Sequence, residues 1–404
     1  MSNTEIIIAA AQRTPLGAFQ GVFTPVSAPA LGAAALKGAL EAAAVAPADV
    51  EEVILGCVLP AGLGQAPARQ AAIAAGVPLA TPATTVNKMC GSGLKTVMMA
   101  ADQIRAGSAQ IVLAGGFESM TQAPYLLQKA RGGYRMGHGE VLDHMFLDGL
   151  QSPFDGKLMG CFADATAARY GFTREQQDAF ASESVRRALA AASGAFAGEI
   201  TPVTVKTRKG ESLIEHDETP GTCDIKKIPT LKPAFGKDGT VTAASASSIA
   251  DGAAAVLVMS AQAAAERGVK PLARVLAYAS HAQEPEWFTT APVGAIRKVL
   301  AATGWKAEDV DLYEINEAFA AVTLAAIHDL KLDPARVNVN GGACALGHPL
   351  GATGARILTT LLHALRARSA RRGIAALCIG GGEAVAVAVE TVGEADAFTA
   401  KGAR

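Results

Sequence analysis

The stretch "TTVNKMCGSGLKTVMMAADQIRAGSAQIVLAGGFES", residues 84–119, decides how this chain folds, because its pattern returns far downstream. It runs from an apolar strand through a glycine turn into an amphipathic helix, then a second apolar strand and a double glycine. The stretch "VNVNGGACALGHPLGATGARILTTLLHALRARSARRGIAALCIGGGEA", residues 337–384, follows the same order. In the first copy Leu94, Val97, Met98, Ala101 and Ile104 fall on one helical face, and Gly107 stops the helix. In the second, Ile357, Leu358, Leu361, Leu362 and Leu365 share one face before Gly373.

The duplication extends outward. "LGAAALKGALEAAAVAPADVEEVILGCVL" from Leu31 and "VGAIRKVLAATGWKAEDVDLYEINEAFA" from Val293 both read helix, turn and strand, and Asp49-Val50 answers Asp309-Val310. Strands alternating with helices argue an α/β chain with parallel sheets covered on both faces. The halves span residues 1–118 and 270–404. Between them, residues 119–249 are rich in glycine, proline and charge and lack the repeat. An insertion this long reads as a binding or capping element. "SIADGAAAVLVMS" then returns as a strand, so residues 250–269 rejoin the first half.

Composition narrows the class. At 404 residues the chain exceeds the ~250–300 at which one core usually splits. Half of it is hydrophobic and its mean hydropathy is +0.25, yet no run of about 18 apolar residues marks a membrane span. A net charge of −1 offers no footprint for nucleic acid or a membrane surface. The N-terminus enters Ile6, Ile7 and Ile8 without a basic leader, and no targeting tripeptide closes the chain, so a cytoplasmic protein is expected. Its six cysteines form no paired framework and read as thiols. With no CxxC, and no second pair near Cys344 and His348, no metal is expected.

Duplicated α/β units bind ligands where strand ends meet helix N-termini, and three reactive side chains fall there. Cys90 opens the first helix, whose N-terminus favours thiolate and lowers a cysteine pKa. His348 sits among the glycines of the matching turn. Cys378 ends the strand "IAALC" before "IGGGEA", where successive amides suit an oxyanion. Asn316 in "EINEAFA" reads either as a helix cap or as an amide donor to such an oxyanion. Cys57, Cys161 and Cys223 read as inert core thiols, while Cys344 stays open because it shares the histidine's loop. A thiolate beside an imidazole suits acyl transfer through a thioester, and a second thiol suits moving a proton at carbon. A nucleotide-binding dehydrogenase is excluded, since "CGSGLKT" lacks the third glycine of that fingerprint.

At this point the chain resembles the thiolase family, and within it the acetyl-CoA acetyltransferases, along nearly its whole length. "VNKMCGSGLK", "GGFESMTQAPY", "GTVTAASASSIADGAAA", "NEAFA", "NVNGGACALGHPLGATGAR" and "CIGGGEA" carry the match. The resemblance implies the five-layered α-β-α-β-α thiolase fold of two duplicated halves, with residues 119–249 as a loop domain over coenzyme A. It implies a reversible Claisen condensation of two acetyl-CoA to acetoacetyl-CoA and CoA, with Cys90 as the acyl-carrying nucleophile. His348 would activate it and help bind a thioester oxygen, and Cys378 would move the proton at carbon. Asn316, through a water, would join His348 in one oxyanion hole; the amides of Cys90 and Gly380 would form the other. Met159, Phe235, Ala243, Ser247, Ile249 and Phe319 are expected to line the CoA site. CoA is then a substrate, no separate cofactor is expected, and a homotetramer is.

Departures bear on substrate. Leu158 in "LMG" replaces a histidine common in biosynthetic members, and Phe288 in "EWFTTAP" replaces a pocket methionine. The stiffer ring is expected to narrow the acyl pocket toward short chains. "PGTCDIKKIP" lacks an arginine found in some relatives, leaving Lys226 or Lys227 to meet the CoA phosphate or simply to face solvent. Ala384 stands where many members have glycine. The rival reading is a degradative 3-ketoacyl-CoA thiolase for longer chains. A ketoacyl synthase, or a CoA-binding module without turnover, fits Cys378 and "NEAFA" less well.

Overall fold

The computed structural model describes residues 4–208 and 210–392; the outer ends of the expected halves, residues 1–3 and 393–404, lie outside them. Short runs of alanine and branched residues form buried strands: β1 (Ile6–Arg13), β2 (Glu52–Gly56), β3 (Ala83–Val86), β4 (Ile111–Ser119), β5 (Ala250–Ser260), β6 (Ala273–Ala282), β7 (Leu312–Ile315), β8 (Arg372–Ile379) and β9 (Glu383–Thr391). The first half orders them β3-β2-β4-β5-β1, and the second β7-β8-β9-β6. Val337 bridges Tyr313 of β7, taking the edge place that β3 holds in the first half. The two sheets meet through Ile7–Arg274 and Ile8–Ala273.

The sheets are mixed, which corrects the all-parallel expectation. β3, β2 and β4 run parallel, as do β7 and β8. β4–β5, β5–β1, β8–β9 and β9–β6 run antiparallel. The physical reason lies in the connections: β8 turns directly into β9 through Gly380–Gly382, and a hairpin reverses direction where a helical crossover would keep it.

The helices are α1 (Ala28–Ala43), α2 (Pro67–Ala74), α3 (Ser92–Ala106), α4 (Met159–Tyr170), α5 (Arg174–Ala192), α6 (Ala291–Thr303), α7 (Ala320–Leu330) and α8 (Leu350–Ala367). Strand alternation sorts the core into layers. Ile6, Ile8, Val112 and Val256 of one sheet and Leu377, Val385 and Val387 of the other share a central cluster with Leu94 and Val97 of α3 and Ile357 and Leu361 of α8. Their sheet neighbours Ile7, Ile111 and Leu257 face α1 and α2. Ile374, Ala386 and Ala388 face α6 and α7. The result is α-β-α-β-α, five layers from two similar halves.

The two central helices differ. α3 keeps an exposed face at Asp102 and Arg105, whereas α8 is buried on almost every side, Thr353, Arg356, Thr359 and Thr360 included. At their first turns they touch backbone to backbone: a Cβ on Gly354 would stand 2.3 Å from Leu94 N, and one on Gly93 2.9 Å from Gly351 O. Residues 119–249 supply α4, α5 and two short hairpins. α5 starts at a capping box, Thr173 with Gln176.

Candidate active site

Cys90 stands two residues before α3, whose N-cap is Gly91. The turn before it is held by Ser92, whose hydroxyl accepts from Lys88 N (2.8 Å) and donates to Met89 O (2.6 Å). Met89 adopts φ 48°, a left-handed conformation uncommon for a side chain of its kind. Cys90 keeps part of its surface open while packing crowds its sulfur, which meets its own amide and that of Gly380. Burial pushes the thiol up to about 11, the Glu118 charge adds to the rise, and those two amides oppose it. Where a thiolate favoured by the helix N-terminus is expected from sequence, burial is the larger influence here and favours the neutral thiol.

His348 opens the approach to α8. Gly347 before it has φ 97° and ψ 172°, a conformation open essentially to glycine, and a Cβ there would stand 2.6 Å from Ala250 Cβ. That turn lets His348 N donate to Ser248 O at 2.9 Å. Thr353 gives its one hydroxyl proton to Pro349 O (2.9 Å), so His348 Nδ1 donates to Thr353 Oγ1 (2.6 Å). Nε2 then keeps its lone pair and faces Asn316 Nδ2 at 3.5 Å. Burial, then the Arg356 charge, push the imidazole down to about 3, so it is neutral at physiological pH.

Asn316 follows β7, 1% exposed, its amide donating to Ala376 O at 3.0 Å. The capping alternative falls, because Phe319 occupies the N-cap of α7 and no side chain caps it. The next residue, Glu317, braces the histidine loop from below. Its carboxylate accepts from Ser184 Oγ (2.6 Å), Asn338 Nδ2 (2.9 Å) and Cys344 N (3.1 Å). Cys344 is thus held through its backbone, and its thiol points at Glu317 O (3.7 Å).

Cys378 ends β8 in an apolar cluster with Phe288, Ala318 and Phe319, against which Met159 and Phe235 pack. Burial, and then the Cys90 charge, raise its thiol far above the usual range. The expected CoA residues divide. Met159, Phe235 and Phe319 come together, with Phe235 and Phe319 edge to face at 5.9 Å and Met159 Sδ beside Gly380. Ile249 packs against the same apolar cluster as Cys90, and Ser247 N donates to Ala318 O at 2.9 Å. Ala243 stands exposed outside that cluster. Phe288 is 3% exposed, edge-on to Phe162, and Leu158 sits half-buried at the N-cap of α4. Lys226 and Lys227 are both exposed.

Sequence reasoning missed Glu118, Glu317 and Thr353, and the ion pair joining Lys88 of the nucleophile turn to Glu383 beyond the triple glycine. Glu118 did leave a signal: an acid inside a strand whose nine residues are all buried. Among the described residues, no cluster of His, Cys, Asp or Glu is arranged to hold a metal. No helix there is long and apolar enough to cross a membrane.

Comparison with known proteins matches both parts of this arrangement. Residues 6–262 fit the thiolase N-terminal domain and residues 269–391 the thiolase C-terminal domain. The chain is 52% identical to an acetyl-CoA acetyltransferase of Chromobacterium violaceum, over 96% of this chain and 99% of that protein. It is 50% identical to one of Escherichia coli, over 95% and 98% respectively. The crystal structure of a thiolase from Ascaris suum in complex with coenzyme A superposes with a TM-score of 0.91 at 43% identity, covering 96% of this chain and all of that one.

Proposed function

The chain belongs to the thiolase family, and from that premise we infer that it catalyses the reversible Claisen condensation of two acetyl-CoA to acetoacetyl-CoA and CoA. What supports the residue roles is two thiols that burial keeps neutral, Cys90 beside the Gly380 amide and Cys378 close enough to feel its charge. With them stands a neutral His348 whose Nδ1 proton is held by Thr353, leaving the Nε2 lone pair toward Asn316. This protonation state suits the start of thiolysis. Cys90 gives its proton to His348 Nε2 as its sulfur attacks the 3-keto carbon of acetoacetyl-CoA. The carbonyl oxygen gains charge between polar donors, and the C2–C3 bond breaks. Cys378 protonates the departing carbanion, releasing acetyl-CoA and leaving a Cys378 thiolate. CoA then enters, gives its thiol proton to that thiolate and attacks the acetyl group on Cys90. The Cys90 sulfur recovers its proton from His348, and a second acetyl-CoA leaves. Condensation is the same path reversed.

Gly380 N and Cys90 N form one oxyanion site in this reading, and Asn316 with His348 the other. CoA enters as substrate along Met159, Phe235 and Phe319, with Ala243, Ser247 and Ile249 nearby. The enzyme works in the cytoplasm, a compartment that suits its free cysteines. It assembles as a homotetramer through the insertion, which exposes Leu127, Met136, Val141 and Phe154.

The test is CoA-dependent cleavage of acetoacetyl-CoA beside 3-ketohexanoyl- and 3-ketodecanoyl-CoA, with Cys90→Ala as control. Fast cleavage of the shortest substrate is expected, falling at least about 10⁴-fold in the variant. Preference for the decanoyl substrate would instead favour the degradative reading.

A further inference from the structure

Glu118 ends the first half's β4 and is fully buried. Its carboxylate gathers three segments. Oε2 accepts from Val58 N (2.9 Å) and Gly351 N (2.8 Å); Oε1 accepts from Leu59 N (3.1 Å) and the Cys57 thiol (3.6 Å). Val58 and Leu59 follow β2 in the first half, whereas Gly351 lies in the first turn of α8 in the second. That amide is one of the helix's unpaired donors, so the carboxylate serves as the anion at the α8 N-terminus. His348 lies three residues earlier on the same chain segment. A Cβ on Gly351 would stand 2.6 Å from Phe117 O and 2.9 Å from Glu118 Oε2, so the helix start rests directly on β4.

The same carboxylate acts on the nucleophile. Its charge opposes ionisation of Cys90, adding to the effect of burial. Besides the backbone amides, the ionisable groups set against it are Cys57 and Cys90. One carboxylate thus ties the chain after β2 to the helix that follows His348, and adds a minor opposing charge at the Cys90 sulfur.

We propose that Glu118 is a positioning residue for acyl transfer: its carboxylate, shared between Val58 N, Leu59 N and Gly351 N, fixes the first turn of α8, and through it His348, against the first half. The proposal rests on the reading of Cys90 as nucleophile and His348 as its base. Burial pushes the Glu118 carboxyl up to about 7 while its amide donors oppose the rise, so a fall in pH neutralises the carboxylate and weakens its hold on the α8 amide within an accessible range.

The test uses the full-length protein and iodoacetamide, with alkylation of Cys90 followed against pH by peptide mass and thiolysis of acetoacetyl-CoA measured in parallel. Glu118→Gln keeps the shape and removes the charge. The alkylation midpoint of Cys90 is expected to fall, since a negative charge that opposes thiolate is removed, and kcat/KM is expected to fall by about tenfold or more as His348 loses its alignment. Both movements are required; if either stays at the wild-type value, the proposal is overturned. Should that variant not fold, Cys57→Ala removes a donor that favours the carboxylate and is expected to move the acid limb of kcat/KM to higher pH. An unmoved limb overturns the proposal. Failure of the underlying reading looks different: Cys90→Ala would retain thiolysis, whatever Glu118 does.

Discussion

The nucleophile turn, residues 87–91, and the histidine turn, residues 341–349, occupy matching places in the two halves, yet they are built in opposite ways. In the first, Asn87 is exposed and Lys88, Met89 and Cys90 are only half-buried. It is pinned mainly by Ser92. Every residue of the second is buried, and it is braced by Ser248 O, Thr353, Glu317 and the contact of Gly347 with Ala250. The difference suits the roles proposed for the two side chains. A sulfur that accepts an acyl group needs access for a bulky thioester. An imidazole that accepts a proton needs one orientation and one tautomer, and those come from neighbours packed on every side.

Removing a brace tests that contrast most severely. Thr353→Val keeps the volume but takes away the acceptor that holds the proton on Nδ1. A fall in kcat of about 10–100-fold is expected, the scale of losing a partner that orients a reacting histidine, and Thr353→Ser should restore most of it. Equal activity in all three proteins would mean that the histidine turn is no more specifically built than the cysteine turn.

Burial of the histidine also has a signature in stability. An unfolded histidine protonates near 6.5, whereas the folded one resists down to about 3. Above that range both states are neutral and His348 contributes nothing. As pH falls through it, the unfolded chain binds the proton first and folding is disfavoured. Denaturant midpoints at pH 7 and pH 5 should show wild type losing up to about 2 kcal/mol more than His348→Asn. An identical loss in the two proteins would place the imidazole in contact with water.

The smallest expected effect concerns the pocket wall, which the second half also supplies. Phe288→Met substitutes a flexible chain for a ring packed beside Cys378. The ratio of 3-ketohexanoyl- to acetoacetyl-CoA cleavage should rise by up to roughly tenfold, the low end of what a methylene is worth in an apolar pocket. A ratio that stays fixed removes Phe288 from substrate choice.

Much of this was legible in the sequence, for reasons the structure makes plain. The repeat survives as spacing, since Leu94, Val97 and Ile104 and their counterparts Ile357, Leu361 and Leu365 face one shared layer. Cys90, His348 and Cys378 stood out because glycines surround them. Strand direction was hidden, since periodicity is blind to whether Gly380–Gly382 opens a hairpin or a crossover. The acidity of Cys90 was misread because a helix N-terminus is visible in sequence and desolvation is not. Glu118 and Glu317 passed as ordinary acids, for their meaning lies in amides that come from distant residues such as Gly351 and Cys344. Thr353, in turn, looked like one more small helical residue.

The central layer described above has a consequence for how the molecule comes apart. Its apolar cluster takes α3 from one half and α8 from the other, and draws on both sheets. The boundary between the two family domains, near residues 262–269, is therefore not a boundary of the apolar core. Each half alone would leave one side of its central helix without a partner. The Cys90 and His348 turns adjoin those two helices, so packing ties the order of each to the layer that both halves share.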